Sequence, residues 1–191
     1  MIKTYSMIME ELNEYKAPAN KVARMVKEGE YIPVIKGLYE TESSTPGYVL
    51  AGSIYGPSYL SFDYALSYYG LIPEAVYAFT SATFEKKKAK RYDTPFGTFT
   101  YRDIPSEAYP LEVRLKKDGD YIYQIASPEK ALCDKLYTLE PVRNKSELKD
   151  LLFENLRIDE TGFEELNKEV MRELCDMYHC TNLKMLKKIL R

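Results

Sequence analysis

Apolar residues in the first forty positions recur at helical spacing and then switch to the short alternation of a ribbon. Ile8, Met9, Leu12 and Tyr15 make one stripe, with Glu10, Glu11 and Glu14 facing away, which predicts a helix over 3–15. Ala17-Pro18 interrupts it. A second helix is expected over 19–28, turning Val22, Met25 and Val26 inward and Asn20, Lys21, Arg24 and Lys27 outward, with Gly29 placed to stop it. The stretch YIPVIKGLYE (31–40) reads as two β-prone pieces pivoting at Lys36-Gly37. Helix, helix and β-ribbon in that order form the skeleton of a winged helix-turn-helix. The polar, turn-rich TESSTPG (41–47) reads as a linker.

The segment SIYGPSYLSFDYALSYYGLIPEAVYAFTSAT (53–83) is the most aromatic of the chain. Pro57 suits the first turn of a helix, and Tyr59, Phe62, Leu66 and Tyr69 follow at helical spacing. Gly70 and Pro73 would end that helix. Over 75–83 both alternating faces are apolar or small, as in a strand covered on both sides. Tyr59 and Tyr69 are expected in the core, while Tyr64 and Tyr68 lie on the opposite side of the helix. TPFGTFTYRDI alternates like a strand or hairpin, and EVRLKKDGDYIYQIA is a hairpin turning at Asp118-Gly119. Ser127-Pro128-Glu129 should cap a helix through Leu139. The rest is helical: one helix over 144–156, another from a Thr161/Glu164 capping box through Met177, and a short one over 181–191.

The expected fold class is therefore α+β: a small N-terminal winged helix-turn-helix (1–42), then a mixed β-sheet domain with C-terminal helices (47–191). A chain of 191 residues with 45% hydrophobic and 29% charged residues has the make-up of a globular protein. No apolar run reaches the length of a membrane span and no signal peptide opens the chain, so a cytoplasmic protein without a membrane partner is expected. Three cysteines at irregular spacing make no disulfide framework. The net charge of −2 excludes a protein coated in basic residues and leaves room for a local basic face.

Such a face has two candidates. On the predicted second helix, Arg24 and Asn20 are side chains able to make bidentate contacts with base edges, and Lys21, Lys27 and Lys36 suit phosphates. The same features fit a solvated helix face, and five nearby glutamates (10, 11, 14, 28 and 30) would repel phosphate if they shared it. The run EKKKAKR supplies Lys86, Lys87, Lys88, Lys90 and Arg91, a salt-sensitive patch acting over ~8–10 Å. It fits contact with nucleic acid or an acidic protein surface, or a solvated loop.

Catalytic and metal chemistry find little to work with. The one histidine, His179, stands near the tail, and GSIYGPS lacks the lysine of a phosphate-binding loop. Cys175 and His179 are one helical turn apart, but Cys180 would point about 100° away and the fourth ligand would have to come from Cys133. No metal, cofactor or catalytic residue is expected. A metal-dependent nuclease built on Asp103, Glu112 and Arg114, or on Glu129 and Lys130, is the weakest reading.

The segments ANKVARMVKEGEYIPVIKGLYE, YGPSYLSFDYALSYYGLIPEAVYAFTSA and IASPEKALCDKLY together resemble the AbiEi antitoxin family of phage-defence loci, over about two-thirds of the chain (16–139). The resemblance implies an N-terminal winged helix that binds the operon's own promoter, with its recognition helix at 19–28 and its wing at 31–39. It also implies a C-terminal antitoxin domain and a nucleotidyltransferase-type toxin as partner. One departure stands out: a single helix precedes the candidate recognition helix, where a complete module has two or more. An antitoxin acting through protein contacts, without reading DNA sequence, is the alternative.

Overall fold

The computed structural model describes residues 1–190. Its N-terminal part runs β1 (Ile2–Thr4), α1 (Tyr5–Glu11), α2 (Pro18–Lys27), β2 (Ile32–Ile35) and β3 (Leu38–Glu40). The strands form an antiparallel sheet in the order β1-β3-β2. The first helix is shorter than the 3–15 expected because Ile2–Thr4 pairs with β3, Ile2 opposite Glu40 and Thr4 opposite Leu38. Thr4 then caps α1, its hydroxyl accepting from the Met7 amide at 3.3 Å. Ile8, Leu12, Val22 and Tyr31 close a small core between the two helices and the ribbon.

That ribbon is also tied to the rest of the chain. Val34 and Leu38 are buried in the main core, and the Tyr121 hydroxyl donates to Glu40 Oε2 at 2.8 Å. Residues 41–44 are exposed, as a linker should be, but Thr45 and Gly47 are buried. A Cβ on Gly47 would overlap the Phe79 ring and the Phe96 carbonyl. The connection is thus packed at its far end.

The larger part begins with a 3-10 turn (Gly47–Leu50) and α3 (Ala51–Ile54). It continues through β4 (Tyr59–Leu60), α4 (Phe62–Tyr68), β5 (Phe79–Thr83), β6 (Lys90–Thr94), β7 (Gly97–Asp103), β8 (Val113–Asp118) and β9 (Tyr121–Ala126). These strands make one mixed sheet, β6-β7-β5-β4-β9-β8, parallel at β5–β7 and β4–β9 and antiparallel elsewhere. Helices follow: α5 (Pro128–Tyr137), α6 (Lys145–Lys149) running into a π-helical turn (Asp150–Asn155), α7 (Glu160–Glu165), α8 (Lys168–Met177) and α9 (Thr181–Ile189). The fold is α+β.

Three further elements differ from expectation. Pro57 starts no helix: Tyr59 and Leu60 pair with Ala82 and Ser81 of β5, so α4 begins only at Phe62. The strand expected over 75–83 is only Phe79–Thr83, the stretch that β7 matches residue for residue, while Tyr77 stands exposed. Within it Ser81, Ala82 and Thr83 are fully buried, as a strand covered on both sides requires. The helix expected from Thr161 to Met177 breaks at Leu166. Asp159, rather than Thr161, caps α7 through the Gly162 amide at 2.7 Å, and Asn167 caps α8 through the amides of Glu169 and Val170.

Other local signals hold. Ser127 caps α5 by accepting from the Lys130 amide at 3.2 Å. Gly70 and Gly119 take φ of +70° and +55° after α4 and in the β8–β9 turn, where a side chain would strain the backbone. Buried Asn182 of α9 clamps the end of α5, donating to the carbonyls of Leu136, Leu139 and Glu140 and accepting from the Val142 amide.

Candidate nucleic-acid interface

The register of α2 follows from its apolar spacing. Val22 is buried, Met25 and Val26 are half-buried, and the opposite side presents Asn20, Ala23, Arg24 and Lys27 to solvent. Three of the five residues chosen from sequence, Asn20, Arg24 and Lys27, therefore lie on one exposed row. Lys21 is half-buried beside them, its Nζ 5.9 Å from the centre of the Tyr15 ring. Tyr15, Lys16, Asn20, Lys21 and Arg24 line an open depression of ≈ 460 Å³ at the start of α2. An aromatic edge, three cations and an amide in one concavity make a surface suited to a polyanion.

Lys36 sits elsewhere. It is exposed in the β2–β3 turn, but the Gly37 carbonyl accepts from the Tyr5 amide at 2.8 Å, which fastens this turn to the start of α1. The hairpin is short and does not project as a long wing. The glutamates divide between faces. Glu11 pairs with Lys3 at 2.6 Å, and this hydrogen bond raises the Lys3 pKa. Glu28 lies 3.8 Å from Arg24 on the exposed side, so one carboxylate does share the face.

The basic run is split by the fold. Lys86 donates to the Gly56 carbonyl at 3.1 Å and lies over the Tyr55 ring, so it is half-withdrawn from solvent. Lys87 and Lys88 occupy the exposed loop before β6, with Lys90 and Arg91 on the strand. Arg91 is neutralised by Asp93 at 3.0 Å; their hydrogen bond raises the arginine pKa and lowers the aspartate's. Lys87, Lys88 and Lys90 are left as the outward charges of this patch.

The groups weighed for metal binding or catalysis are dispersed. His179 is exposed, 3.0 Å from Glu107, while Cys133 and Cys175 are buried in the core and Cys180 is half-buried. Cys175 and burial push the Cys133 thiol up. Asp103 accepts from the Thr83 hydroxyl and the Lys87 amide. Glu129 accepts from the Asn167 amide at 3.0 Å and so anchors the start of α8. Among the described residues, no three His, Cys, Asp or Glu side chains converge on a metal position, and no helix is long and apolar enough to cross a membrane.

A fully buried polar network centred on α5 went unread in the sequence. Lys130 and Asp134, one turn apart on α5, are both fully buried with Nζ and Oδ1 3.1 Å apart. Lys130 also donates to the Ala108 carbonyl (2.7 Å) and the Tyr178 hydroxyl (2.6 Å). Asp134 accepts from the hydroxyls of Tyr178 (2.5 Å), Ser61 (2.6 Å) and Tyr59 (3.0 Å). Burial pulls the Lys130 ammonium down against the opposing pull of Asp134, and pushes the phenols of Tyr59 and Tyr178 well up. The i, i+4 Lys–Asp spacing inside PEKALCDKLY was the available signal. No known protein family matches the chain, and no curated protein matches it.

Proposed function

We propose that this protein is an antitoxin of a two-gene toxin–antitoxin system that also binds its own promoter. Its N-terminal part acts as a winged helix, with α2 as the recognition helix. Asn20 and Arg24 read base edges; Lys21, Lys27 and Lys36 hold phosphates. The observation that carries this reading is the exposed row Asn20–Arg24–Lys27 beside the Tyr15–Lys16–Lys21 depression. The order β1-α1-α2-β2-β3, with β3 central in its sheet, supports a winged-helix reading. The larger part would then engage a nucleotidyltransferase-type toxin, a role that rests on the resemblance to AbiEi antitoxins.

A second reading is favoured by a specific feature. Glu28 competes with phosphate for Arg24, and Tyr5, Met7 and Tyr15 are exposed on the same module, a composition suited to a protein contact. On that reading the protein neutralises its toxin without reading DNA.

Titration against a fluorescent duplex of the protein's own upstream region and a scrambled duplex, at two salt concentrations, separates the two. Tighter binding to the native duplex at both salts supports autorepression. Equal, steeply salt-dependent binding to both duplexes, or none, removes sequence reading and leaves the protein-contact antitoxin.

A further inference from the structure

A polar cavity of ≈ 130 Å³ opens between the start of α4, the end of α5 and the middle of the sheet. Its walls carry Phe62, Asp63, Thr80, Thr100, Arg102 and Lys135. The strand register explains the grouping. Thr80 of β5 pairs with Thr100 of β7, and Arg102 follows two residues on, so all three share one face of the sheet. Arg91 of β6 pairs with the same Thr100 and is already matched by Asp93.

The hydrogen bonds show which groups are spent and which are free. The Thr80 hydroxyl donates to the Ser61 carbonyl at 2.5 Å and accepts from the Tyr64 amide. Thr138, also on the wall, donates to the Lys135 carbonyl. Lys135 is held by Asp63 at 2.7 Å. Arg102 has no carboxylate within 4.0 Å among the described residues, and the Thr100 hydroxyl has no protein partner there. One guanidinium fork and one hydroxyl thus face a small polar space, backed by a lysine that a single aspartate neutralises. Phe62 lines this space at φ +53°, a conformation disfavoured for an aromatic residue and one that persists at binding sites.

We propose that this cavity binds a phosphate group. Its volume of ≈ 130 Å³ accommodates a tetrahedral oxyanion. Arginine matches two phosphate oxygens at once, and Thr100 supplies a third donor. The rest of the ligand, where there is one, projects to solvent. The site is separate from the α2 face, so it stands or falls independently of promoter binding.

The test is amide NMR on the full chain, titrated separately with inorganic phosphate, adenosine 5′-monophosphate and adenosine. Saturable shifts at Thr100, Arg102 and Thr138 are expected with the first two ligands and not with the third, at a Kd of about 1 mM. Tighter binding of the monophosphate marks a phosphomonoester as the ligand; equal binding marks free phosphate. Arg102→Gln, an exposed position, should weaken binding by about tenfold, and Thr100→Val by several-fold. Lys117→Gln, on the opposite edge strand, removes the same charge and should leave it within about twofold. Absence of saturation, shifts centred on the surface lysines, or equal losses in Arg102→Gln and Lys117→Gln would overturn the proposal.

Discussion

Replacing Lys130 by Met keeps most of the side-chain volume and removes one buried charge. The substitution deletes the bonds to the Ala108 carbonyl and the Tyr178 hydroxyl and the 3.1 Å pairing with Asp134, all in a site closed to water. Asp134 keeps three hydroxyl donors but loses its counter-charge. Breaking a fully buried pair from one side costs about 3–5 kcal/mol, a large part of the ~5–15 kcal/mol that holds a domain folded. Asp134→Asn should cost a similar amount, because it strands the ammonium. The double substitution removes both charges while the amide retains an acceptor for the hydroxyls. It should therefore cost at least ~1 kcal/mol less than the two single effects added together. Urea unfolding followed by far-ultraviolet circular dichroism, extrapolated to water, measures all three. The reasoning fails if Lys130→Met costs under ~1 kcal/mol, or if the two substitutions add within ~0.5 kcal/mol.

Three further outcomes follow from the structure. Gly47→Ala pushes a methyl group into the Phe79 ring and the fixed Phe96 carbonyl, and should cost about 1–3 kcal/mol in the same unfolding assay; a neutral result would mean that the 3-10 turn is not pinned. Burial raises the phenol pKa values of Tyr59, Tyr101 and Tyr178, and an Asp118 hydrogen bond together with burial takes Tyr48 to about 12. A raised folded-state pKa gives stability that is whole below pH ~10 and lost as pH rises further, so absorbance at 295 nm should show Tyr59, Tyr101 and Tyr178 ionising only with alkaline unfolding. A single reversible phase for all 18 tyrosines would contradict this. Arg24→Ala should weaken promoter binding by ~1–3 kcal/mol and relax one base position; unchanged gel retardation in both Arg24→Ala and Lys27→Ala would rule out α2 as the reading helix.

Much of the local structure was legible because its causes are local. The α2 face follows from the spacing of Val22, Met25 and Val26, and the α5 cap from Ser127-Pro128. The β8–β9 turn follows from a glycine at positive φ. Of the misread elements, one has a distant cause and another a competing local cap. Tyr59 has helical spacing to Phe62 and Leu66, yet it sits in a strand because Ala82 and Ile125 offer β4 its neighbours from far along the chain. Thr161 and Glu164 match a capping box, but Asp159 reaches the Gly162 amide first and Asn167 starts a new helix.

The same division runs through the candidate sites. That Asn20, Arg24 and Lys27 of α2 meet solvent was determined by sequence alone, since one helical period decides it, whereas Lys21 is half-buried beside Tyr15. Whether Glu28 or a phosphate finds Arg24, and where the β2–β3 turn carries Lys36, depended on how α1 and the ribbon pack together. The Lys130–Asp134 network and the Arg102 cavity belong wholly to tertiary structure. Their members come from segments as far apart as Tyr59 and Tyr178, or Asp63 and Arg102, and only the sheet and the helices against it gather them around Asp134 in the one case and one cavity in the other. Periodicity reports which way a side chain faces, whereas its partner is chosen by packing across the whole chain.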